Sequence, residues 1–486
     1  MPVTPDLTQP KPMLIGGEWV RTTDATFESI NPATGALNFR ICAADDSLVD
    51  HAVGSAWAAV RNPVWRDQLP HQRAAMLRRI ADGIDASAEK MARLQMLENG
   101  KVWAECKAQV ASASATFRYF AAVCETVSGE VTPSRGNYLS MTKYEPYGVV
   151  AAITPWNSPM TMEAQKVAPA LAAGNAVILK PSEVTSSTAL ELGRIALEAG
   201  LAPGILNVLT GLGTTVGKRL VEHPGVRMVS FTGGTATGRV IAHIAAEKLI
   251  PVALELGGKS PHVVFADADQ EAAIDGVIGG IFEGSGQSCV AGSRLYVQKS
   301  IAQSFVEKLV SRASRLRIAL PDSQGAQMGP IATFAHRSRI EAMVDSARAE
   351  GCEVLLGGHR PDHESLAAGA YYLPTILAGL KPDARVVREE IFGPVLCVLE
   401  FEDEDDLVQQ ANDSVYGLAA GIWTADYKRA WRVASRLEAG TVWINTYKQL
   451  SISSSFGGFK ESGIGREKGV SGLRLYQQAK SIYFGM

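Results

Sequence analysis

The sequence predicts an α/β protein with two doubly wound domains and a small β arm. Short, continuously apolar runs alternate with helical patterns from Tyr147 onward. Such runs between amphipathic helices indicate a parallel sheet with helices on both faces. The length of 486 residues also exceeds what one ordinary core accommodates, so more than one domain is expected.

The first domain is predicted from residues 1–125 and 147–257. Its strands are expected at 148–154, 176–180, 205–209, 228–231 and 252–255. Its helices are expected at 159–173, 188–199, 216–222 and 238–248. These alternating elements form a doubly wound unit, in which ligands bind at the carboxyl ends of the strands.

The second domain is predicted from residues 258–461, with a hinge near Gly257 and Gly258. Its strands are expected at 262–265, 294–298, 394–399, 420–423 and 440–445. Its helices are expected at 270–282, 301–316 and 405–412.

Two segments, 126–146 and 462–486, fit neither domain. The first has a hairpin pattern with turn residues at 135–137, and the second ends in a short apolar run at 480–486. Since an exposed apolar strand is usually paired or covered, both segments are expected to form an arm for self-association. Packing within one chain is an equal alternative.

Composition excludes several classes of function. The net charge of -3 gives no electrostatic basis for binding nucleic acid or an anionic membrane. No run approaches the roughly 20 apolar residues of a membrane span. The segment 1–11 lacks the pattern of a secretory signal and is interpreted as a loose tail. The six cysteines are scattered without metal-like spacing, so we expect no metal site and a cytoplasmic protein.

One cysteine stands out from the others. Cys289 lies in the run 282–294, where glycine and serine leave room for a substrate beside the thiol. A lone cysteine is more often an inert buried side chain. Here Glu255 and Asn157 each follow a predicted strand, and a thiol, a carboxylate and an amide together predict acyl chemistry through a thioester. The remaining thiols are interpreted as structural: Cys42, Cys106, Cys124, Cys352 and Cys397.

Two further motifs indicate a nucleotide site. The segment 231–238 ends a strand and opens a helix, where free N–H groups and the helix dipole would hold a pyrophosphate. An ordinary turn is the alternative, and the first strand lacks a G-x-G-x-x-G fingerprint. Lys180 and Glu183 follow another strand. A carboxylate there can accept from ribose hydroxyls and repel a 2′-phosphate, whereas a surface ion pair is the alternative.

Seven motifs occur in an order that resembles the NAD(P)-dependent aldehyde dehydrogenase superfamily over nearly the whole chain. They are Pro155-Trp-Asn157, Lys180-Pro-Ser-Glu183, Phe231-Thr-Gly-Gly234, Leu254-Glu-Leu-Gly-Gly-Lys259, Gly286-Gln-Ser-Cys289, Glu389-Glu-Ile-Phe-Gly-Pro394 and Phe456-Gly-Gly-Phe-Lys460. The resemblance implies that the first domain is a Rossmann-like cofactor domain and the second is catalytic. It also implies NAD as the cofactor, with NADP possible, and a homodimer or homotetramer.

The resemblance implies a role for each catalytic candidate. The Cys289 thiolate would attack the aldehyde, and the Asn157 amide with the Cys289 backbone N–H would hold the oxyanion. After hydride transfer, Glu255 would activate water to hydrolyse the thioester, since members that acylate coenzyme A generally lack this glutamate. Lys166 matches a family lysine near the site, and a structural ion pair is an equal interpretation.

Cofactor contacts are implied in the same way. Glu390 would bind the nicotinamide ribose and Phe392 would pack beside the nicotinamide, while Glu183 would favour NAD over NADP. The full implied set is Pro155, Trp156, Lys180, Glu183, Gly213, Phe231, Gly233, Gly234, Leu256, Glu390 and Phe392.

The resemblance also aligns eight residues with the family's aldehyde tunnel: Ser158, Met162, Gln165, Glu283, Ser288, Val290, Leu450 and Phe456. At Ser158, Gln165 and Glu283, members that favour simple aliphatic or aromatic aldehydes tend to carry aromatic residues, whereas these three are smaller or polar. Because buried polar groups need a partner, the tunnel is predicted to admit a hydroxylated, amino or ring-bearing aldehyde. Alternatively, Glu283 points into solvent or pairs with Lys448.

Two functions from other classes stay open at this point. A catalytically silent, NAD-binding structural protein could use this scaffold, although the set Cys289, Glu255 and Asn157 is intact. The second open function is a thioester hydrolase that does not use NAD, although the presence of Lys180, Glu183 and Glu390 argues against it.

Overall fold

The computed structural model describes residues 9–22 and 25–486, so most of the predicted N-terminal tail lies outside the described residues. The strands up to residue 255 are β1 (Met13–Ile15), β2 (Glu18–Val20), β3 (Thr26–Ile30), β4 (Leu37–Cys42), β5 (Glu130–Thr132), β6 (Tyr138–Pro146), β7 (Val149–Ile153), β8 (Ala176–Lys180), β9 (Leu206–Val208), β10 (Met228–Thr232) and β11 (Val252–Glu255). The helices over the same span are α1 (Asp46–Arg61), α2 (Pro63–Arg66), α3 (Pro70–Ala86), α4 (Ala88–Asn99), α5 (Trp103–Thr126), α6 (Pro159–Ala172), α7 (Ser187–Glu198), α8 (Lys218–Glu222) and α9 (Thr235–Lys248).

The rest of the chain repeats the alternation. Its strands are β12 (Pro261–Val264), β13 (Arg294–Gln298), β14 (Glu353–Leu356), β15 (Thr375–Ala378), β16 (Val395–Phe401), β17 (Tyr416–Gly417), β18 (Ala419–Trp423), β19 (Thr441–Ile444), β20 (Phe459–Lys460), β21 (Gly463–Ile464) and β22 (Gln477–Gly485). Its helices are α10 (Gln270–Phe282), α11 (Ala302–Ala313), α12 (Phe334–Ala349), α13 (Arg385–Arg388), α14 (Glu404–Asn412), α15 (Tyr427–Arg436) and α16 (Gly469–Arg474).

The first sheet has the strand order β2-β1-β9-β8-β7-β10-β11-β21. Its five central strands are parallel, which confirms the predicted α/β fold, and β8 and β11 begin and end at the predicted residues. The sheet is not parallel throughout. Toward its two sides, β1 and β21 pair antiparallel, through Leu14 opposite Val208 and Ile464 opposite Leu254, and β2 forms the edge beyond β1. These strands have only two or three residues each, too few to show a periodic pattern in the sequence.

The second sheet has the order β14-β15-β16-β13-β12-β18-β19 and is parallel except at β14. The predicted strands of this domain all occur in it, and α10 has the predicted bounds. Its interior strand β12 is completely buried, as expected for a strand with helices on both faces.

The core of the first domain also includes helices whose bounds could not be predicted from the sequence. Helix α5 packs between α3 and α6, and its Phe117 and Phe120 are fully buried. Full burial of such a side chain contributes roughly 1.5–3 kcal/mol. This packing brings one face of α5 against α6, beside the carboxyl ends of the central strands.

The arm is a three-stranded sheet with the order β22-β6-β5. Strand β22 pairs with β6 along its full length, from Gln477 opposite Pro146 to Gly485 opposite Tyr138. The segment 462–486 is divided rather than a single arm element. Strand β21 joins the first sheet and α16 packs on α5 and α6, so only β22 of this segment reaches the arm.

Within the described ranges, the helices are all too short or too polar to cross a membrane.

Candidate active site

A cleft of about 660 Å³ lies where the carboxyl ends of the first sheet face the second domain. Its size is within the range of small-molecule sites, and its position is where open α/β sheets bind ligands. Most of the predicted site residues line it: Pro155, Trp156, Asn157, Ser158, Met162, Gln165, Glu183, Gly233, Gly234, Glu255, Leu256, Ser288, Cys289, Val290, Glu390, Phe392, Leu450 and Phe456.

Four predicted site residues do not line this cleft. Lys180 is buried behind Glu183, with its Nζ 3.4 Å from the Glu183 carboxylate. Phe231 supports the cleft wall, because a Cβ on Gly233 would lie 2.5 Å from its ring. Gly213 begins a separate helical turn at 213–217. The Glu283 side chain is 63% exposed and lies 3.9 Å from Lys448, which is the alternative arrangement left open for it.

The Cys289 loop is folded tightly before it reaches the thiol. Gly284, Ser285 and Gly286 all have positive φ angles, and a Cβ on Gly286 would lie 2.1 Å from the carbonyl of Gly393. Only glycine fits there. Behind the loop, the Tyr447 hydroxyl donates to the carbonyl of Val290 at 3.0 Å. The thiol is therefore presented by a loop with little freedom.

The surroundings of this thiol disfavour its ionisation. Burial raises the pKa of Cys289 to about 12, and the nearby carboxylates Glu390 and Glu255 add to the shift. This direction is opposite to the one usual for catalytic cysteines, whose pKa values are generally lowered.

The Asn157 amide is oriented toward the same loop. Its Nδ2 donates to the carbonyl of Gln287 at 2.9 Å. Gln287 is held in turn, since its amide donates to the Gly284 carbonyl at 3.1 Å and accepts from the Ala332 N–H at 2.8 Å. An amide nitrogen carries two hydrogens, so the second hydrogen of Asn157 is available to a ligand.

Glu255 ends β11 and is 4% exposed. Neither of its carboxylate oxygens has a hydrogen-bond partner in the described part of the chain. Burial raises the pKa of Glu255 well above its usual value, and the nearby Glu467 carboxylate raises it further. This direction agrees with the expectation of a raised pKa for a carboxylate in a dry pocket. A buried, unpartnered carboxylate is suited to accept a proton from water.

A buried ion pair stands behind Glu255. The Lys166 ammonium lies 2.6 Å from the Glu467 carboxylate and donates to Ser230 Oγ at 3.1 Å. The Gln165 amide donates to the other Glu467 oxygen at 2.5 Å. Lys166 therefore forms a structural ion pair, which is one of the two interpretations that its position in the sequence allowed. Sequence reasoning missed Glu467, because no polar pattern marks it within the segment 462–486.

An aromatic cluster forms the other end of the cleft. The Trp156 ring lies edge-on to Phe392 at 5.3 Å and to His336 at 5.4 Å between centroids. His336 Nε2 lies 2.8 Å from the carbonyl oxygen of Phe392. Phe392 itself has a positive φ of 57°. His336 was not predicted, since a lone histidine on a helix carries no motif.

The Glu390 carboxylate lies beside this cluster at the domain boundary. It accepts from the Gly258 N–H at 3.0 Å, and burial raises its pKa to about 7. A Cβ on Gly257 would lie 2.3 Å from Glu390, so glycine permits the close approach.

The residues of the first domain fit a dinucleotide. Helix α9 begins at the cleft after Gly234, where a Cβ would meet open space and backbone N–H groups could face a pyrophosphate. The hydroxyls of Thr232 and Thr154 are buried without a partner among the described residues. With Glu183 at the cleft wall, this is a set of donors and acceptors of the kind that a nucleotide would satisfy.

One face of α5 also lines the cleft, through Ala108, Gln109 and Ser112. The Gln109 amide donates to Ser158 Oγ at 3.0 Å, so this wall of the cleft is polar. These α5 residues were missed because only tertiary packing brings α5 to the site.

A doubly wound nucleotide-type domain and a cleft-facing thiol define an oxidoreductase of the covalent, cysteine-dependent class. The chain belongs to the aldehyde dehydrogenase family, whose sequence pattern matches residues 19–482. Among solved structures it is similar to the Staphylococcus aureus betaine aldehyde dehydrogenase in complex with NAD+. The two chains are 38% identical, the match covers 98% of this chain and 95% of the other, and the TM-score is 0.97.

It is also similar to a mutant of an aldehyde dehydrogenase from Bacillus cereus. Here the identity is 36% over 99% of this chain and 97% of the other, with a TM-score of 0.96.

Proposed function

We propose that this protein oxidises an aldehyde to its carboxylic acid with NAD+, through covalent intermediates on Cys289. The observation that carries the proposal is that Cys289, Asn157 and Glu255 line one cleft. The family assignment and the NAD+ complex of the Staphylococcus relative support it. We assign residues 1–125 and 147–257 to cofactor binding and residues 258–461 to catalysis.

In the first step, the Cys289 thiol releases its proton to solvent, and its sulfur bonds to the aldehyde carbon while the carbonyl oxygen takes the negative charge. The Asn157 amide and the Cys289 backbone N–H are the donors for that oxygen. The Asn157 amide is already fixed by its bond to Gln287, so little reorganisation is needed. Loss of one such donor typically costs about 3 kcal/mol of transition-state stabilisation.

The cofactor is held by residues of both domains. Glu183 would accept from the adenosine ribose hydroxyls, the N-terminus of α9 would face the pyrophosphate, and Glu390 would bind the nicotinamide ribose. Phe392 and Trp156 would exclude water from the ring. When bound, NAD+ supplies the hydride acceptor that turns the Cys289 adduct into a thioester.

In the last step, Glu255 takes a proton from water while the water oxygen bonds to the thioester carbon. The carbon–sulfur bond then breaks, the acid leaves, and the Cys289 sulfur is protonated again. A base with a raised pKa is effective near neutral pH. Both Glu255 oxygens lack competing partners among the described residues, so either can accept from the water.

The substrate end of the cleft favours a polar or bulky aldehyde. Gln109, Ser112 and Ser158 line it from one side. Hydroxyls and amides in a buried cleft favour a substrate that satisfies them. Gln165 donates its amide N–H to Glu467, whereas its amide oxygen is buried without a partner among the described residues and can accept from a substrate.

We propose that the arm forms a homodimer or homotetramer. Its apolar side chains are exposed in the single chain: Val131 is 68% exposed, Tyr483 65% and Phe484 51%. Among the described residues, strand β22 is hydrogen-bonded along its β6 edge alone, and an open apolar edge invites pairing. Light scattering tests this, since a single species at 51.8 kDa would mean that the arm remains unpaired.

We also propose a reducing compartment, the cytoplasm. All six cysteines are free thiols, which is the usual state of cysteines in a reducing compartment.

The function is tested with a panel of aldehydes, following NADH absorbance with NAD+ and with NADP+. Cys289→Ala should abolish oxidation while NAD+ binding persists. Cys352→Ala is the matched control, since this thiol is also partly exposed but does not line the cleft. Substantial turnover by Cys289→Ala would contradict the covalent mechanism.

A further inference from the structure

A lysine lies in the substrate end of the cleft without an ionic partner. Lys468 lines the cleft with Phe456 and Leu450, and the residue is only 9% exposed. Its ammonium lies 5.3 Å from the centre of the Phe456 ring and forms no hydrogen bond or ion pair with the described residues. A buried cation normally has an anionic partner, because desolvation of an unpaired charge is unfavourable.

The neighbouring carboxylates Glu467 and Glu255 partly offset the lowering of the Lys468 pKa by burial, but neither forms an ion pair with its ammonium. Both oxygens of Glu467 are already engaged, by Lys166 and by Gln165. Glu255 is the other nearby carboxylate, and it makes no hydrogen bond to Lys468. The neighbouring cation Arg466 differs from Lys468, because its guanidinium donates to the carbonyls of Gly458 and Gly465.

The backbone holds Lys468 in this place. Its φ of 59° and ψ of 174° belong to a region that is otherwise almost exclusive to glycine. The residue before it, Glu467, exchanges two backbone hydrogen bonds of 2.8 Å with Phe456, and the Gly469 N–H donates to Ile452 at 2.8 Å. These bonds fix the segment on the loop that lines the cleft. Backbone strain of this kind persists where surrounding structure enforces it, often at ligand sites.

We infer that Lys468 determines substrate specificity by binding an anionic group, a carboxylate, on the far end of the aldehyde substrate. This inference rests on the proposed aldehyde oxidation and names its substrate class: an aldehyde acid. The polar wall of Gln109, Ser112 and Ser158 is compatible with such a substrate. A buried ammonium also repels a quaternary ammonium group, so betaine aldehyde is a poor substrate for this chain despite its 38% identity to a betaine aldehyde dehydrogenase.

The test compares two aldehydes of equal chain length, glutaric semialdehyde and pentanal, which differ in a terminal carboxylate against a methyl group. Betaine aldehyde is the cationic comparison. Wild-type kcat/KM should favour glutaric semialdehyde over pentanal by about tenfold or more, as for a hydrogen bond to a charged group. Lys468→Met should remove this preference, bringing the ratio of the two kcat/KM values close to one. Lys468→Arg should keep most of the preference.

Lys308→Met is the control for net charge, since Lys308 is exposed on α11, away from the cleft. It should leave the preference unchanged. A binding measurement independent of turnover uses glutarate, which should protect Cys289 from iodoacetamide in the wild type and fail to do so in Lys468→Met.

The outcomes separate the two proposals. If the wild type oxidises none of the aldehydes, the proposed function fails. If it oxidises pentanal and glutaric semialdehyde equally well, or prefers betaine aldehyde, only the inference about Lys468 is overturned. Equal losses for both aldehydes in Lys468→Met would also overturn it, because Lys468 would then act on the catalytic groups and not on the substrate.

Discussion

The Asn157 amide donates a 2.9 Å hydrogen bond to the carbonyl of Gln287, two residues before Cys289. This bond joins the loop after β7 of the first sheet to the loop that carries the thiol in the second domain. The amide is thereby fixed beside the thiol before any substrate binds.

We expect Asn157→Ala to lower kcat by about 100- to 1,000-fold, because one oxyanion donor is lost. NAD+ affinity, measured by fluorescence titration, should change little. Asn99→Ala is a useful comparison, since Asn99 binds the Trp156 carbonyl at 3.3 Å and does not line the cleft. A kcat within threefold of wild type in Asn157→Ala would rule out the oxyanion role.

Glu255→Gln should trap the acyl group on Cys289, because the water loses its base. Intact-protein mass spectrometry should then detect a mass increase equal to the acyl group. Glu283→Gln, a change of an exposed glutamate outside the cleft, should leave turnover unchanged. An unchanged steady-state rate in Glu255→Gln would reject the role.

The raised pKa of Glu255 predicts that the rate of deacylation depends on pH. The pKa of Glu255 is raised by burial and by Glu467, so its carboxylate becomes protonated at a higher pH than usual. The deacylation rate should therefore fall as the pH falls through that raised pKa, well above the ordinary value for glutamate. Single-turnover deacylation measured across pH gives the profile. A rate that stays constant down to pH 5 would contradict the assignment.

Glu183 should make NAD+ the preferred cofactor, because its carboxylate at the cleft wall opposes a 2′-phosphate. We expect wild-type kcat/KM to favour NAD+ by about tenfold or more, and Glu183→Gln to narrow the difference. Glu198→Gln removes a carboxylate from the exposed end of α7 and serves as the control. Equal efficiency of the wild type with both cofactors would show that Glu183 does not discriminate.

Lys166→Met should destabilise the fold strongly, because it leaves the buried Glu467 without its cationic partner. Removing one member of a buried pair costs about 3–5 kcal/mol of unfolding free energy. Arg40→Met breaks an exposed pair with Glu28 and should cost less than about 1 kcal/mol. Urea unfolding measures both. Similar midpoints for the two variants would mean that the Lys166–Glu467 pair contributes little.

The sequence by itself determined the central strands of both sheets and the residues that end them. Continuous apolar runs fixed β7, β8, β10 and β11, and because parallel strands end at one edge, Asn157, Glu183 and Glu255 were expected near one another. The glycine and serine residues around Cys289 likewise indicated that this thiol lies on a loop. These are local consequences of hydrophobic periodicity and of glycine at turns, which are visible in a linear chain.

Only the tertiary structure decided the rest of the site. Gln109 reaches the cleft because α5 packs on α6, and Lys468 reaches it because Glu467 pairs with Phe456 across ten intervening residues. The sequence could not indicate that burial raises the pKa of Cys289, since desolvation depends on atoms brought from distant segments. Likewise Glu283 neighbours Cys289 in sequence yet turns toward Lys448, because the tight turn at 284–286 separates their side chains.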